Sequence, residues 1–307
     1  MKASYSFVLA LLTCATTTLL ANSPASSKVH AAAATSTEVS TEGSLTTEAA
    51  ISHIPSGAGL HFQHVASGLM ACNGCVELSS ATNAPSNATL VSGIQALTSW
   101  QADADSAGTG SASGASGIIS NPALSGTARQ FKTSYTNGGS ERFYTTFGAD
   151  AQATHFLYDG YVYIASPSND VANIEMDTNQ VIANGDTVIY GFQCDGYSKT
   201  WDYTANQGTP TSPNDVWVHS SATCNPQSWS ANAWHHVQIS YSHDNSGNVT
   251  YESVSLDGVQ QTINATVNSA FALGWGAGAL LTNFQIDGMG TSGTTTVYLD
   301  NLKIYRW

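Results

Sequence analysis

The sequence predicts an all-β protein, a two-sheet antiparallel jelly-roll sandwich preceded by a disordered N-terminal segment. Three observations carry that expectation. From about residue 128 onward, aromatic and β-branched residues alternate with polar ones at the two-residue period of a half-buried strand. Turn pairs such as Asn184-Gly185, Ser246-Gly247 and Asp257-Gly258 separate the runs and suit tight hairpins. No segment longer than a turn has helical periodicity, and the chain lacks the short internal repeat of a β-helix. So many antiparallel strands in one domain fit two stacked sheets, an arrangement that protects its own edges.

In chain order, Met1-Lys2 and the apolar run Phe7–Leu12 form a secretory signal over residues 1–31, cleaved after Ala21 or Ala31. The run is too short to span a bilayer. Leu11-Leu12-Thr13-Cys14 as a lipoprotein acceptor is the weaker alternative, because Thr is a poor residue just before the Cys. Residues 32–59 are rich in Ala, Ser, Thr and Glu, cannot bury a core, and read as a disordered tether. A small Cys-containing extension follows over 60–93, and the jelly roll occupies 94–307, with 106–116 a Gly/Ser/Ala loop. Its predicted strands are 127–135, 142–147, 155–164, 172–182, 187–195, 200–204, 217–220, 234–242, 249–256, 259–267, 280–287 and 295–305.

Charge narrows the function. Eight Lys+Arg stand against 21 Asp+Glu, a net charge of −13. Loss of Lys2 and Lys28 with the signal leaves six basic residues against 21 and a charge of −15. That balance excludes nucleic acid as partner, which would need a basic stripe. Export, to an extracellular or periplasmic location, also fits the cysteines: once Cys14 is removed, Cys72, Cys75, Cys194 and Cys224 remain, an even number. Of three pairings, Cys72 with Cys75 and Cys194 with Cys224 is preferred, since the first pair is close in sequence and the second brackets one long loop. Cys72-Asn-Gly-Cys75 is alternatively a redox or zinc motif, but no βαβ pattern and no second Cys/His pair accompany it. No catalytic metal is expected.

Three stretches resemble the concanavalin A-like lectin/glucanase superfamily. Ala233–Tyr241 followed by Ser255-Leu256-Asp257-Gly258 is similar to the W-H-H-V strand and D-G turn of laminin G-like modules. Val297–Tyr305 resembles the closing strand of many members, and Glu175-Met176-Asp177-Thr178-Asn179 is similar to the E-x-D-x-E strand of laminarinase/lichenase-type glucanases. The resemblance covers residues 94–307 and implies the fold more strongly than the chemistry, since the superfamily hosts enzymes, lectins and adhesion modules. For a glucanase it implies Glu175 as nucleophile and Asp177 as its support, with Asn179 where the acid/base would stand.

The residues themselves suggest a site. Alternation puts Asn173, Glu175, Asp177 and Asn179 on one face, with Ile174 and Met176 opposite. The same rule groups Gln193 with Asp195, Trp234 with His236 and Gln238, and Asn283 with Gln285 and Asp287. Together these predict a polar trough on one concave sheet, where amides and carboxylates grip hydroxyls and Trp stacks on a sugar ring. A solvated sheet face also alternates, but ordinarily with Thr, Lys and Ser. Glu175 is the candidate nucleophile or base, and Asp177, Asp195 and Asp287 compete for the second catalytic role. His235 is expected inside, and Trp201 and Tyr203 at the cleft rim. A uronate lyase ranks below a hydrolase because the acidic face would repel its substrate. Oxygen-rich Asp300-Asn301 and Asp244–Asn248 are candidate positions for a structural Ca²⁺, though the second reads better as a hairpin turn, whose formers Asn, Gly and Asp need no metal. The expected protein is a monomeric, secreted glycoside hydrolase on a neutral polysaccharide, the alternatives being a non-catalytic lectin or carbohydrate-binding module and a laminin G-like adhesion module.

Overall fold

The computed structural model describes residues 84–105, 110–167 and 170–307. The signal, the tether, most of the 60–93 extension, and Cys72 and Cys75 lie outside the described residues. In chain order the strands are β1 (Thr89–Ser92), β2 (Gln101–Asp105), β3 (Ser111–Ile119), β4 (Ala128–Thr136), β5 (Ser140–Ala149) and β6 (His155–Ile164). Next come β7 (Val171–Val181), β8 (Thr187–Tyr190), β9 (Phe192–Asp195), β10 (Thr200–Asn206) and β11 (Asp215–Thr223). The last are β12 (Trp234–His243), β13 (Asn248–Leu256), β14 (Val259–Asn268), β15 (Ala270–Phe271), β16 (Ala279–Gly288) and β17 (Ser292–Arg306).

Two antiparallel sheets stack as a jelly-roll sandwich. The back sheet runs β14-β13-β12-β6-β17-β4-β3, with β1 on β17; the front sheet runs β11-β10-β9-β7-β16-β5-β2, with β8 beside β7 and β15 on β8. Alternation decides what lies between them. Ile174 and Met176 of β7, Phe192 and Cys194 of β9, and Phe284 and Ile286 of β16 all turn into one core with Val237, Ile239 and Tyr241 of β12. Aromatic rings interlock there: Phe131 lies 4.9 Å from Phe284 and 4.8 Å from Phe143, and Tyr190 lies 4.4 Å from Tyr241. Among the described residues no helix is long and apolar enough to cross a membrane.

The predicted turns take the geometry their residues allow. Asp257 (φ 52°) and Gly258 (φ 81°) join the paired residues Leu256 and Val259 with two left-handed positions, as a tight hairpin requires. Three boundaries differ from expectation. The sandwich starts before residue 94, since β1 pairs with β17. Residues 111–116 of the expected loop belong to edge strand β3, whose small residues leave room beneath for the buried Glu141; a Cβ on Gly114 would clash with its side chain. The 187–195 run divides at Gly191 into β8 and β9, where a Cβ would lie 2.5 Å from the Thr204 side chain. Cys194 and Cys224 form the expected disulfide, Cα atoms 5.3 Å apart, tying β9 to the chain just beyond edge strand β11.

Asp300 anchors the start of the domain to the closing strand. Fully buried, it accepts hydrogen bonds from the N–H groups of Leu124 (2.6 Å), Ser125 (3.0 Å) and Asn301 (2.6 Å), from Gln95 Nε2 (3.3 Å) and from the Ser125 hydroxyl. Removing it strands several buried donors at once. Asp300→Ala is therefore expected to lower unfolding free energy by about 3 kcal/mol or more in urea titrations followed by Trp fluorescence. A midpoint within error of the wild type would refute this role.

Candidate functional site

The front sheet carries a polar face on the side turned away from the core. Register places Asn283 opposite Asp177, Gln285 opposite Glu175 and Asp287 opposite Asn173 on β16 and β7; on β9, Gln193 lies opposite Glu175 and Asp195 opposite Asn173. Extending the pairing to both edges gives one continuous row over seven strands: Asp103, Arg142, Gln285, Glu175, Gln193, Asp202 and His219. At the usual strand spacing the row spans about 29 Å. All of β7 is buried on both faces, so this polar face is a recess and not an open surface. The recess brings together Asn173, Glu175, Asp177, Asn179, Gln193, Asp195, Asn283, Gln285 and Asp287.

Five expected residues lie elsewhere. Trp234, His236 and Gln238 sit on β12 in the back sheet, since alternation fixes a residue's face but not its sheet. There His236 stacks on Tyr161 with ring centres 4.4 Å apart and pairs through Nε2 with Asp159 at 2.9 Å, while Gln238 donates to the same carboxylate at 3.0 Å. Trp201 is fully buried against Phe192 in the core, and Tyr203 lies beside it, so neither forms a cleft rim. Their alternates Thr200 and Asp202 face the recess instead. His235 is interior, as expected: it bonds Asp257 at 2.7 Å and the Ser230 carbonyl at 3.1 Å. Burial pulls its pKa down, but these bonds and the Asp257 charge raise it overall.

Sequence reasoning missed Arg142, Tyr144, Asp202, Asp215 and His219. Arg142 pairs with Asp103 at 3.4 Å, and Tyr144 stands opposite Asn283. The alternation Ser140, Arg142, Tyr144 on β5 was the available signal. On β11, Trp217 is half-buried between Asp215 and His219 and lies opposite Thr204.

Electrostatics at the centre follow from burial. The Glu175 and Asp177 carboxyl groups hydrogen-bond each other, which requires a proton between them. Burial first, then the neighbouring charges of Asp177, Asp287 and Asp105, push Glu175 well above the usual carboxylate range. Asp177 rises only to about 6: burial raises it, while its bond with Glu175, the Phe192 N–H at 3.0 Å and Asn283 Nδ2 at 3.2 Å hold its charge. The proton therefore resides on Glu175. Burial raises Asp287 to about 7 despite bonds from Asn173 and Gln285.

Two amides on β16 repeat one device. Asn283 Nδ2 donates to Glu175 at 2.9 Å and to Asp177 at 3.2 Å; Gln285 Nε2 donates to Asp105 at 3.3 Å and to Asp287 at 3.2 Å. In each the amide nitrogen is held between two carboxyl groups, and the carbonyl oxygen is left buried without a partner; the Asn179 Oδ1 is likewise bare. A buried acceptor lacking a donor costs on the order of 1–3 kcal/mol. A ligand that brings hydroxyl donors would recover it.

At both candidate calcium positions the carboxylates accept hydrogen bonds from within the chain. Asp300 is engaged by the donors described above, and Asp244 caps its hairpin, accepting from Ser246 N at 2.8 Å, Asn248 N at 3.0 Å and Asn248 Nδ2 at 2.7 Å. One ligand atom each from Asp195, Asp202 and His219 lie within 4.8 Å of one another, but His219 Nδ1 bonds Asp202 at 2.7 Å and Asp195 caps the β9–β10 turn through the N–H groups of Tyr197 and Ser198. A separate cavity of about 460 Å³, lined by Lys199, Trp229, His235 and Asp257 among others, lies outside the recess and holds none of its central carboxylates.

No protein-family model matches the chain, and no curated protein matches it. Solved structures match the chain at low similarity. A study of carbohydrate-binding modules from the β-sandwich superfamily supplies one, 10% identical, covering 68% of this chain and 57% of that one with a TM-score of 0.35. Cellulose-induced protein Cip1 is 14% identical over 67% of this chain and 91% of its own (TM-score 0.39), and alginate lyase vAL-1 from Chlorella virus is 10% identical over 68% and 93% (TM-score 0.39).

Raised carboxylate pKa values set a pH dependence. Between the unfolded value near 4 and the folded values of about 6 for Asp177 and about 7 for Asp287, the folded chain keeps protons that the unfolded chain has released. Stability is therefore full below the lower value and falls as pH rises through the higher one. Urea unfolding should show a loss of more than about 2 kcal/mol between pH 5 and pH 8. Stability that is flat or rising over that window would contradict the raised values.

Proposed function

We propose that the recess binds a neutral polysaccharide and hydrolyses it, as an exported member of the concanavalin A-like jelly rolls. The observation that carries the reading is the set of bare buried acceptors, Asn179 Oδ1, Asn283 Oδ1 and Gln285 Oε1, beside a carboxyl pair that holds one proton. A sugar hydroxyl satisfies such acceptors; a uronate or sulfate adds charge to a face that already carries several carboxylates. The Cys194–Cys224 disulfide supports an oxidising compartment.

The proton on Glu175 suits a general acid that protonates the leaving oxygen, a role different from the nucleophile implied by the resemblance. Asp177, charged and held by Phe192 N–H, keeps that proton in place. Asp287 lies diagonally across from Glu175 on the adjacent strand, and such diagonal neighbours are about 7–8 Å apart. Carboxyl groups extending from positions so spaced can stand at the inverting separation of about 6.5–9.5 Å, with room for a water between them. In this mechanism Asp287, with a pKa of about 7, takes the water's proton as general base. A second reading, binding without turnover, is favoured by Asn179 at the position where glucanases carry the acid/base. The adhesion reading fares worse: among the described residues the large exposed apolar side chains Leu90, Ile118 and Val259 sit on three different strands and Tyr197 in the turn between β9 and β10.

The test is reducing-end release from neutral glucans, mannans and xylans, with pull-down on the same polymers. Wild type should release ends with a rate that climbs as pH passes about 7, when Asp287 ionises, and drops once Glu175 loses its proton. Glu175→Gln should lower the rate by about 100-fold or more and keep binding. Binding without release in every variant would leave a binding module, and neither binding nor release would sink the carbohydrate reading.

A further inference from the structure

Asp215 differs from the other carboxylates of the recess. Asp177, Asp195, Asp202 and Asp287 each accept well-formed hydrogen bonds, whereas Asp215, only 9% exposed, meets no side-chain donor and has only the adjacent Val216 N–H near it, short of good hydrogen-bond geometry. Its face is fixed. On β11 the alternation Asp215, Trp217, His219 points one way, His219 reaches recess residue Asp202 at 2.7 Å, and the intervening Val218 packs on the core. Asn206, opposite Asp215, cannot serve it: Asn206 Nδ2 donates to the Ala270 carbonyl at 2.7 Å, and its Oδ1 accepts from Gly208 N at 2.9 Å and Asn214 N at 3.0 Å. Beyond that one N–H, the donors that would complete this buried carboxylate are left to come from outside the chain.

We infer that edge strand β11 holds a second, distal sugar subsite, in which a neutral pyranose stacks on Trp217 and donates two neighbouring hydroxyls to the Asp215 carboxylate. The inference rests on the glycan reading of the recess and adds the direction of the bound chain. Three strand spacings, about 14 Å, separate β7 from β11, so an oligosaccharide engaged at Glu175 would reach the subsite by running across the strands. A half-buried Trp offers an apolar face of the right kind for a sugar ring, and a carboxylate accepts from two adjacent hydroxyls at once. An anionic sugar would meet an anion there and is excluded on the same grounds.

Calorimetric titration tests this with the full chain in the Glu175→Gln background, which prevents turnover, using disaccharide to hexasaccharide series of β-glucan, mannan and xylan. A hexasaccharide should bind at least ten-fold more tightly than its disaccharide. Asp215→Asn and Trp217→Ala should each remove most of that gain and leave disaccharide affinity unchanged. Hexasaccharide affinity unaffected in both variants overturns the subsite and spares the central site, whereas no binding by any protein overturns the glycan reading and the subsite with it. Asp215→Asn removes a bare buried charge, so its urea midpoint at pH 8 should equal or exceed that of its parent, which separates lost binding from lost folding; a lower midpoint would mean that Asp215 has a partner within the fold and would overturn the inference.

Discussion

The structure depends on one constraint: β7 lies in the middle of the front sheet with both faces out of water, yet only one of those faces is apolar. Ile174 and Met176 meet the core, and the other side presents Asn173, Glu175, Asp177 and Asn179. Polar side chains removed from water must find partners, and carboxylates removed from water must find donors or keep protons. The neighbouring strands are arranged around that need. Phe192 turns its N–H onto Asp177 where β8 gives way to β9, and β16 places amide nitrogens between carboxyl groups on either side.

The solution is incomplete in a patterned way. Carboxyl groups are met by Asn283 and Gln285, but the carbonyl ends of the same amides are left empty, and at the sheet edge Asp215 has only the poorly aligned N–H of Val216. Bare acceptors in a recess select for a ligand dense in hydroxyl donors. The back sheet shows the contrasting state: Asp159 is satisfied by His236 and Gln238, and Glu252 by the Ser240 and Ser242 hydroxyls at 2.6 and 3.0 Å. Those two carboxylates are completed by side chains of their own sheet.

Strand positions were legible because the two-residue period and the Asn-Gly and Asp-Gly turns are local signals. The central recess was legible for the same reason: once β7 is read as a strand, Glu175 and Asp177 must share a face. Sheet membership was not, because the Trp234, His236, Gln238 alternation is indistinguishable from that of Asn283, Gln285, Asp287 until long-range pairing is known. For Trp201 the strand was right and the face inverted, since a large aromatic residue serves a core as readily as a cleft. Edge strands β2 and β3 escaped because Ala, Ser, Gly and Asp carry little strand propensity, and pairing with β5 and β4 supplies what propensity lacks. Bare acceptors are a property of tertiary geometry and leave no trace in sequence.

The central claim is that the recess holds a proton on Glu175, shared with a charged Asp177. Carbon-13 NMR titration of the side-chain carboxyls, assigned with Glu175→Gln and Asp177→Asn, tests it most directly. The account predicts that at pH 7 Glu175 gives the shift of a neutral carboxylic acid while Asp177 is ionised. Two carboxyls that both titrate near pH 4 would contradict it.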